Sequence, residues 1–169
     1  MSSLGSGPIK IPESALNRIA SHIFQHGSLG VETGGFFLSN ATDVIAEVAF
    51  AGDKGILRKR DQFAVSGRAL DRLFTWVGER QLYVTAQFHS HGGHHGHRPF
   101  LSITDQQHGF RVERFISSVI PGFTAPPLQP QDWGWWQFRE GRWVEVPPAS
   151  VVAGAISFIT FDEDGVHGA

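Results

Sequence analysis

Two stretches of the chain repeat apolar residues at the three- and four-residue spacing of an amphipathic helix. The first is predicted from Pro12 to Gly27, because proline suits a first helical turn and glycine ends a helix well. The second is predicted from Ser66, a typical N-cap residue, to about Arg80. The apolar faces are Ala15, Leu16, Ile19, Ala20 and Ile23, and then Ala69, Leu70, Leu73, Phe74 and Val77. His22 and His26, both in the first helix, are expected to be solvated.

Runs rich in β-branched and aromatic residues, bounded by turn residues, predict strands between and after these helices. The predicted strands are 31–38 and 44–50 as a hairpin, 82–88, 114–120, and a second hairpin of 133–139 with 142–146. Residues 156–161 fit an edge strand or a helical continuation. A polar loop is expected over 51–63, a proline-rich surface loop over 121–132, and a short helix over 102–109. The order of elements predicts an α/β fold in which helices flank one mixed β-sheet.

The length of 169 residues allows one domain with a core of useful size. With 41% hydrophobic and 18% charged residues, the composition is that of an ordinary globular protein. We expect a flexible N-terminus over residues 1–8, the domain over 9–150, and a C-terminal extension over 151–169. The Trp-rich hairpin of 133–146 is expected to belong to the sheet and core.

Charge and cysteine content exclude several classes of function. A net charge of -2 does not indicate nucleic-acid binding, because neutralising phosphate groups requires clustered basic residues. The absence of cysteine excludes disulfides, cysteine zinc ligands and thiol catalysis, and fits a reducing compartment. The N-terminus lacks the pattern of a signal peptide, and no apolar run approaches the roughly 20 residues of a membrane helix. These features predict a cytoplasmic protein without membrane or nucleic-acid partners.

The strongest chemical signal is a pair of histidines, His89 and His91, at the end of the predicted strand 82–88. Side chains two residues apart on an extended chain point the same way, so both imidazoles can face one ion. Asp105 follows at the start of the predicted short helix. Two imidazoles and one carboxylate can bind Zn²⁺ and leave a fourth position open.

A hydrolytic metal site also needs a proton acceptor and a donor for the oxyanion. Glu32, beside a glycine pair, is the best candidate for the base, and Ser102 for the donor. Each of these residues also has a purely structural interpretation. Ser102 and Asp105 have the spacing of a capping box, and Glu32 taken alone does not indicate a function. His94, His95 and His97 are rival ligands, but they lie in a glycine-rich loop rather than at a strand end.

Taken together, Glu32, then His89-Ser90-His91, then Ser102-Ile103-Thr104-Asp105 resemble the JAMM motif of the JAB/MPN (Mov34-like) metalloproteases. The segment 32–38 also resembles the first strand of that family, and the resemblance spans about residues 10–120. The chain departs from the family in a longer loop after His91 and in Gly92, where proline is common.

The resemblance implies a cytidine-deaminase-like fold and a Zn²⁺-dependent isopeptidase of the stand-alone bacterial, deubiquitinase-like type. His89, His91 and Asp105 would hold zinc, Glu32 would be the base, and Ser102 would support the oxyanion. The implied partners are a ubiquitin-like protein or its conjugates, and the cognate activating and conjugating enzymes. Some such bacterial gene sets act in defence against phage.

The substrate and the activity are left with alternatives. The basic residues Lys54, Arg58, Lys59 and Arg60 of the loop 51–63 are either solvated surface or contacts for the modifier. A metal-free scaffold in a protein assembly is the second hypothesis, although the complete ligand set speaks against it. A peptidase for sulfur-carrier adducts is the third, and it uses the same chemistry. Nucleoside deamination is disfavoured because its zinc signature contains cysteine.

Overall fold

The computed structural model describes residues 8–93 and 98–168, and the elements in this part of the chain largely follow the predicted order. The helices are α1 (Ser14–Gly27), α2 (Gly67–Glu79) and α3 (Ile103–His108). The strands are β1 (Lys10–Pro12), β2 (Gly34–Ser39), β3 (Ile45–Ala51), β4 (Ile56–Lys59), β5 (Gln62–Val65), β6 (Tyr83–His91), β7 (Ile116–Pro121), β8 (Gly134–Arg139), β9 (Arg142–Glu145), β10 (Ser150–Val152), β11 (Ser157–Asp162) and β12 (Gly165–Gly168). The predicted flexible N-terminus falls almost entirely outside the described residues.

Eight of these strands form one mixed sheet, in the order β12-β11-β3-β2-β6-β7-β8-β9. The pairs β11–β3 and β6–β7 are parallel, and the other neighbouring pairs are antiparallel. The strand that ends in His89 and His91 is therefore central, with β2 on one side and β7 on the other. The predicted α/β fold, a mixed sheet flanked by helices, is confirmed.

Alternating side chains of β2 show how the sheet is buried on both faces. Phe37 belongs to the core that packs under α1, together with Ile19 and Ile23. Phe36 and Leu38, its neighbours, belong to the second core under α2. Because successive side chains of a strand point to opposite faces, one strand serves both cores. The rigid layer so formed carries the histidine pair at the end of β6.

The predicted packing role of the Trp-rich hairpin is confirmed for Trp133 and Trp135, which are 5% and 2% exposed. Buried indoles need an acceptor for their N–H. Trp133 donates to the carbonyl of Pro127, and Trp135 to that of Pro130, both at 2.8 Å. These bonds tie the proline-rich loop of 121–132 to the sheet.

The predicted polar loop over 51–63 is wrong in part, because it contains strand β4 and the start of β5. These strands pair from Ile56 with Val65 to Lys59 with Gln62. Their side chains are only half-buried or exposed, so the apolar alternation that signals a strand is weak. This small hairpin lies over the end of β2 and, as described below, forms one wall of a cleft.

The predicted C-terminal extension is also wrong, because β11 lies inside the main sheet. It pairs in parallel with β3 from Ser157 to Phe161, and Phe161 is fully buried. The domain therefore continues past residue 150. The final strand, β12, closes that edge of the sheet against β11. Within the described part of the chain, no helix is long and apolar enough to cross a bilayer.

Candidate metal centre

The histidines at the end of β6 face the same point, as their spacing predicts. Their Nε2 atoms lie 3.0 Å apart, and the two rings meet edge to face. The His89 residue is 4% exposed and the His91 side chain 12%. Pairing of β6 with β2 on one side and β7 on the other fixes both backbones.

Helix α3 brings Asp105 to the same point. Its Oδ1 lies 3.2 Å from Nε2 of His89, and its Oδ2 lies 3.1 Å from Nε2 of His91. The helix begins with a complete capping box: Ser102 Oγ accepts from the Asp105 N–H at 3.0 Å, and Asp105 Oδ2 accepts from the Ser102 N–H at 2.9 Å. The cap therefore holds the carboxylate in front of the histidines.

Glu32 reaches the same group from the loop that precedes β2. Its Oε1 lies 3.9 Å from Nε2 of His91, and one potential ligand atom from each of Glu32, His89 and His91 lies within 4.8 Å of the others. Glu32 is 5% exposed. The two glycines that begin β2 allow its backbone to lie close to its neighbours: a Cβ on Gly34 would lie 2.3 Å from the Phe88 carbonyl oxygen, and one on Gly35 would lie 2.2 Å from that of Ala49.

The two carboxylates differ sharply in their electrostatics. Burial, together with the negative charges of Asp105 and Asp61, raises the pKa of Glu32 to about 8. Burial also acts to raise the pKa of Asp105, but hydrogen bonds from His89 and His91 outweigh it and hold that pKa well below its usual range. A pair of carboxyl groups pushed apart in this way is typical of acid–base sites.

The arrangement fits a divalent transition-metal ion. Ligand atoms at about 2.0–2.2 Å from one tetrahedral zinc ion lie about 3.3–3.6 Å from each other. The distances of 3.0, 3.1 and 3.2 Å among the nitrogens and oxygens of His89, His91 and Asp105 are within a few tenths of an ångström of that spacing. The neighbouring Glu32 then lies beside such an ion.

Comparisons with known proteins agree with this geometry. The chain matches no family model. It is 28% identical over 148 residues to the probable metalloprotease y4jG of Sinorhizobium fredii, covering 83% of this chain and 88% of that protein. The match spans the residues that converge in the site. The chain is therefore similar to a probable metalloprotease, in keeping with the resemblance of its motif to that of the JAMM (JAB/MPN) family.

Two solved structures match the fold of this chain with TM-scores above 0.5. The solution structure of a Desulfitobacterium hafniense protein matches with a TM-score of 0.60 at 13% identity, covering 86% of this chain and 92% of that one. A solution structure from Salinibacter ruber matches with a TM-score of 0.54 at 21% identity and the same coverage. The crystal structure of a JAB1/MPN domain protein from Archaeoglobus fulgidus matches with a TM-score of only 0.49 at 18% identity, covering 85% and 97%.

The hydroxyl of Ser102 is compatible with both functions considered from the sequence. Its bond from the Asp105 N–H uses a lone pair of Oγ, which leaves the hydroxyl hydrogen to be donated elsewhere.

The rival metal ligands considered from the sequence, His94, His95 and His97, lie outside the described residues. Among the described residues, Glu32, His89 and His91 form a group of potential ligands that lie close enough together to hold a metal ion.

The four basic residues proposed as modifier contacts have different environments. Lys59 and Arg60 are exposed at the turn between β4 and β5. Lys54 is exposed and pairs with Asp164 at 3.3 Å. Arg58 does not face a substrate, because its side chain is only 11% exposed and its guanidinium is bonded inside the protein.

A cleft of about 270 Å³ leads to the site. Strand β5 forms one wall, and His89 and Asp105 are among the polar residues of the lining. The remaining lining is mostly apolar and comes from Phe36, Phe63, Leu70, Phe88 and Phe110. A mostly apolar cleft with a few polar groups is typical of a binding site, and this one adjoins the candidate metal ligands His89 and Asp105.

Sequence reasoning missed the residues that support the site from behind. His22 is not solvated as expected: its Nε2 lies 2.8 Å from Oγ1 of Thr33, and its ring packs on Phe50. Ser90, between the two histidines, is fully buried and bonds to the backbone of Thr33. The alternation of a strand could have placed Ser90 behind the site, but no local pattern could have paired Arg58 with Thr33.

Proposed function

We propose that this chain is a zinc-dependent peptidase that cleaves the bond after the C-terminal tail of a ubiquitin-like protein. The observation that carries the proposal is the convergence of His89, His91, Asp105 and Glu32 on one point beside a cleft that His89 and Asp105 also line. His89, His91 and Asp105 would hold the ion, which would supply Lewis acidity and a nucleophile at neutral pH.

The other steps belong to the side chains of the chain itself. Glu32 takes a proton from the attacking water and gives it to the leaving amine, which a carboxylate of raised pKa does well near neutral pH. Ser102 donates its hydroxyl hydrogen to the oxyanion that develops on the scissile carbonyl. The walls of the cleft exclude water from the reacting groups.

The shape of the cleft supports a tail substrate. Among the described strands, β5 pairs with β4 alone, so its other edge carries backbone groups that an extended peptide can bond as an added strand. We expect a tail that ends in small residues such as glycine, because such a tail can bring its last peptide bond close to Asp105. Lys59 and Arg60, exposed at the hairpin turn, would contact the folded part of the modifier.

The cellular role that we propose is deconjugation or precursor processing in the cytoplasm, alongside cognate activating and conjugating enzymes in a bacterial system directed against phage. This role is supported by the family resemblance alone. Genes for a ubiquitin-like protein and its activating enzyme next to the gene for this chain would support it. Neighbours from an unrelated pathway would count against it.

The enzymatic proposal is tested with purified protein and a panel of modifier fusions, joined through either a peptide bond or a lysine side chain. We expect one zinc ion per chain, loss of cleavage on chelation, and recovery with added zinc. Asp105→Ala should lose both zinc and cleavage, because the ion would keep only the two imidazoles. A folded wild-type protein that stays metal-free in excess zinc would instead be a scaffold, and the proposal would fail.

A further inference from the structure

Arg58 is a strand residue whose charged group points inward. Its Nη1 donates to the carbonyl oxygen of Gly52 at 2.6 Å, its Nη2 to that of Ala51 at 2.7 Å, and its Nε to Oγ1 of Thr33 at 3.0 Å. One planar guanidinium thus joins the end of β3 to the residue that follows Glu32. Lysine cannot reproduce this fork, because its single nitrogen cannot reach all three acceptors.

Thr33 is the point where several contacts meet, and it is fully buried. Its hydroxyl oxygen accepts from Arg58 and lies 2.8 Å from Nε2 of His22. Its N–H donates to Oγ of Ser90 at 2.9 Å, and its carbonyl oxygen accepts from the Ser90 N–H at 2.8 Å. Ser90 stands between His89 and His91, so Thr33 is bonded directly to the strand that carries them.

Glu32 and Thr33 are neighbours whose side chains lie in opposite directions. The carboxylate of Glu32 lies beside His91, while the hydroxyl of Thr33 is hydrogen-bonded to Arg58 and His22. The Glu32 N–H also donates to the carbonyl oxygen of Lys59 at 2.8 Å. The loop that carries Glu32 belongs to no strand. These bonds therefore fix its place relative to the histidines.

We propose that Arg58, acting through the hydroxyl of Thr33, is a positioning residue for the general base Glu32. This inference rests on the proposed function, because it assumes that Glu32 is the base. It replaces the idea that Arg58 contacts the modifier. A displacement of about 1 Å in a catalytic group can cost roughly 10²-fold in rate, which sets the size of the expected effect.

The test compares Arg58→Lys and Thr33→Val with two matched variants, Arg68→Lys and Thr33→Ser. Arg68 is an exposed arginine on α2, far from the described site residues in sequence, and Thr33→Ser keeps the hydroxyl. We expect Arg58→Lys and Thr33→Val each to lower kcat by roughly 10²-fold with KM and zinc content unchanged. Thr33→Ser should retain most of kcat, and Arg68→Lys should match the wild type.

A double-mutant cycle separates positioning from mere packing. In the Glu32→Gln background, Arg58→Lys should cause no further loss of kcat, because the group that it positions has gone. An equal loss in both backgrounds would overturn the inference and leave Arg58 with a packing role. The residual single-turnover rate of the Glu32→Gln protein is the readout.

The other outcomes are also decisive. A raised KM with unchanged kcat in Arg58→Lys would restore the modifier-contact interpretation and overturn ours. A lowered melting temperature with unchanged kcat in both Arg58→Lys and Thr33→Val would show a purely structural role. An inactive wild-type protein would overturn the proposed function itself, whereas fully active Arg58→Lys and Thr33→Val beside an active wild type would overturn only this inference.

Discussion

Ser102 has a capping function in the structure and a second function in the proposed mechanism, and its substitutions can distinguish the two. As an N-cap, its Oγ accepts from the Asp105 N–H at 3.0 Å and so helps to hold a metal-facing carboxylate. As a donor, its hydroxyl hydrogen would stabilise the oxyanion. Alanine removes both functions, glycine retains a tolerable N-cap without the donor, and threonine retains both.

The expected magnitudes follow from the two functions. Loss of an N-cap to alanine costs about 1 kcal/mol, but loss to glycine costs only a few tenths. If the whole cost reaches Asp105, zinc affinity falls by roughly fivefold in Ser102→Ala and changes little in Ser102→Gly. Loss of one oxyanion donor lowers kcat by about 10²–10³-fold, and this loss applies to both variants.

Two assays measure these effects independently. Competition against a chelating dye gives the zinc affinity, and turnover of a modifier fusion at saturating zinc gives kcat. Ser102→Thr is the control and should stay close to the wild type in both. A Ser102→Gly protein that turns over within about twofold of the wild type would refute the oxyanion function. Unchanged zinc affinity in Ser102→Ala would show that the N-cap does not help Asp105 to bind the ion.

Further predictions concern Glu32 and the exposed basic turn. Glu32→Gln should keep its zinc and lose kcat by several orders of magnitude, as measured by metal analysis and turnover; near-normal turnover would exclude Glu32 as the base. Because the folded state raises the pKa of Glu32 to about 8, it binds this proton more tightly than the unfolded state does. The metal-free protein should therefore lose unfolding free energy, on the order of a few kcal/mol, as pH rises from about 5 to 8. Denaturant titrations at several pH values should show a smaller loss of unfolding free energy in Glu32→Gln than in the wild type. An equal dependence of the unfolding free energy on pH in both proteins would contradict the raised pKa of Glu32. Lys59→Ala combined with Arg60→Ala should raise KM and leave kcat unchanged, and an unchanged KM would remove the turn from the modifier surface.

The parts of the site that sequence could predict are those specified by neighbouring residues. His89 and His91 point to the same face of the sheet because successive side chains of a strand alternate between its two faces. Asp105 faces them because Ser102 caps the helix that carries it. Both rules act over a few residues. The predicted convergence of these side chains with Glu32 came from the family motif, since no local rule brings residues 32 and 89 together.

The errors concern contacts between distant parts of the chain. Local sequence does not predict that β11 belongs to the domain, because its membership depends on pairing with β3, about a hundred residues earlier in the chain. The run of charges that Arg58 forms with Lys59 and Arg60 predicts a surface position for all three, but only Lys59 and Arg60 are exposed. Its actual partner, Thr33, becomes visible only when β4 is laid over the end of β2.

The bonds around Thr33 explain how Glu32, the proposed base, can be held on a loop as firmly as the candidate ligands His89 and His91 are held on a strand. The N–H and carbonyl groups of Thr33 both bond to Ser90, so Glu32 and the two histidines are held in register by a single buried pair. The hydroxyl of Thr33 then adds Arg58, which is bonded to the end of β3. Asp105, by contrast, depends on a short helix and its cap. Disturbing α3 should therefore affect the metal ligands first, whereas disturbing Arg58 should affect the base first.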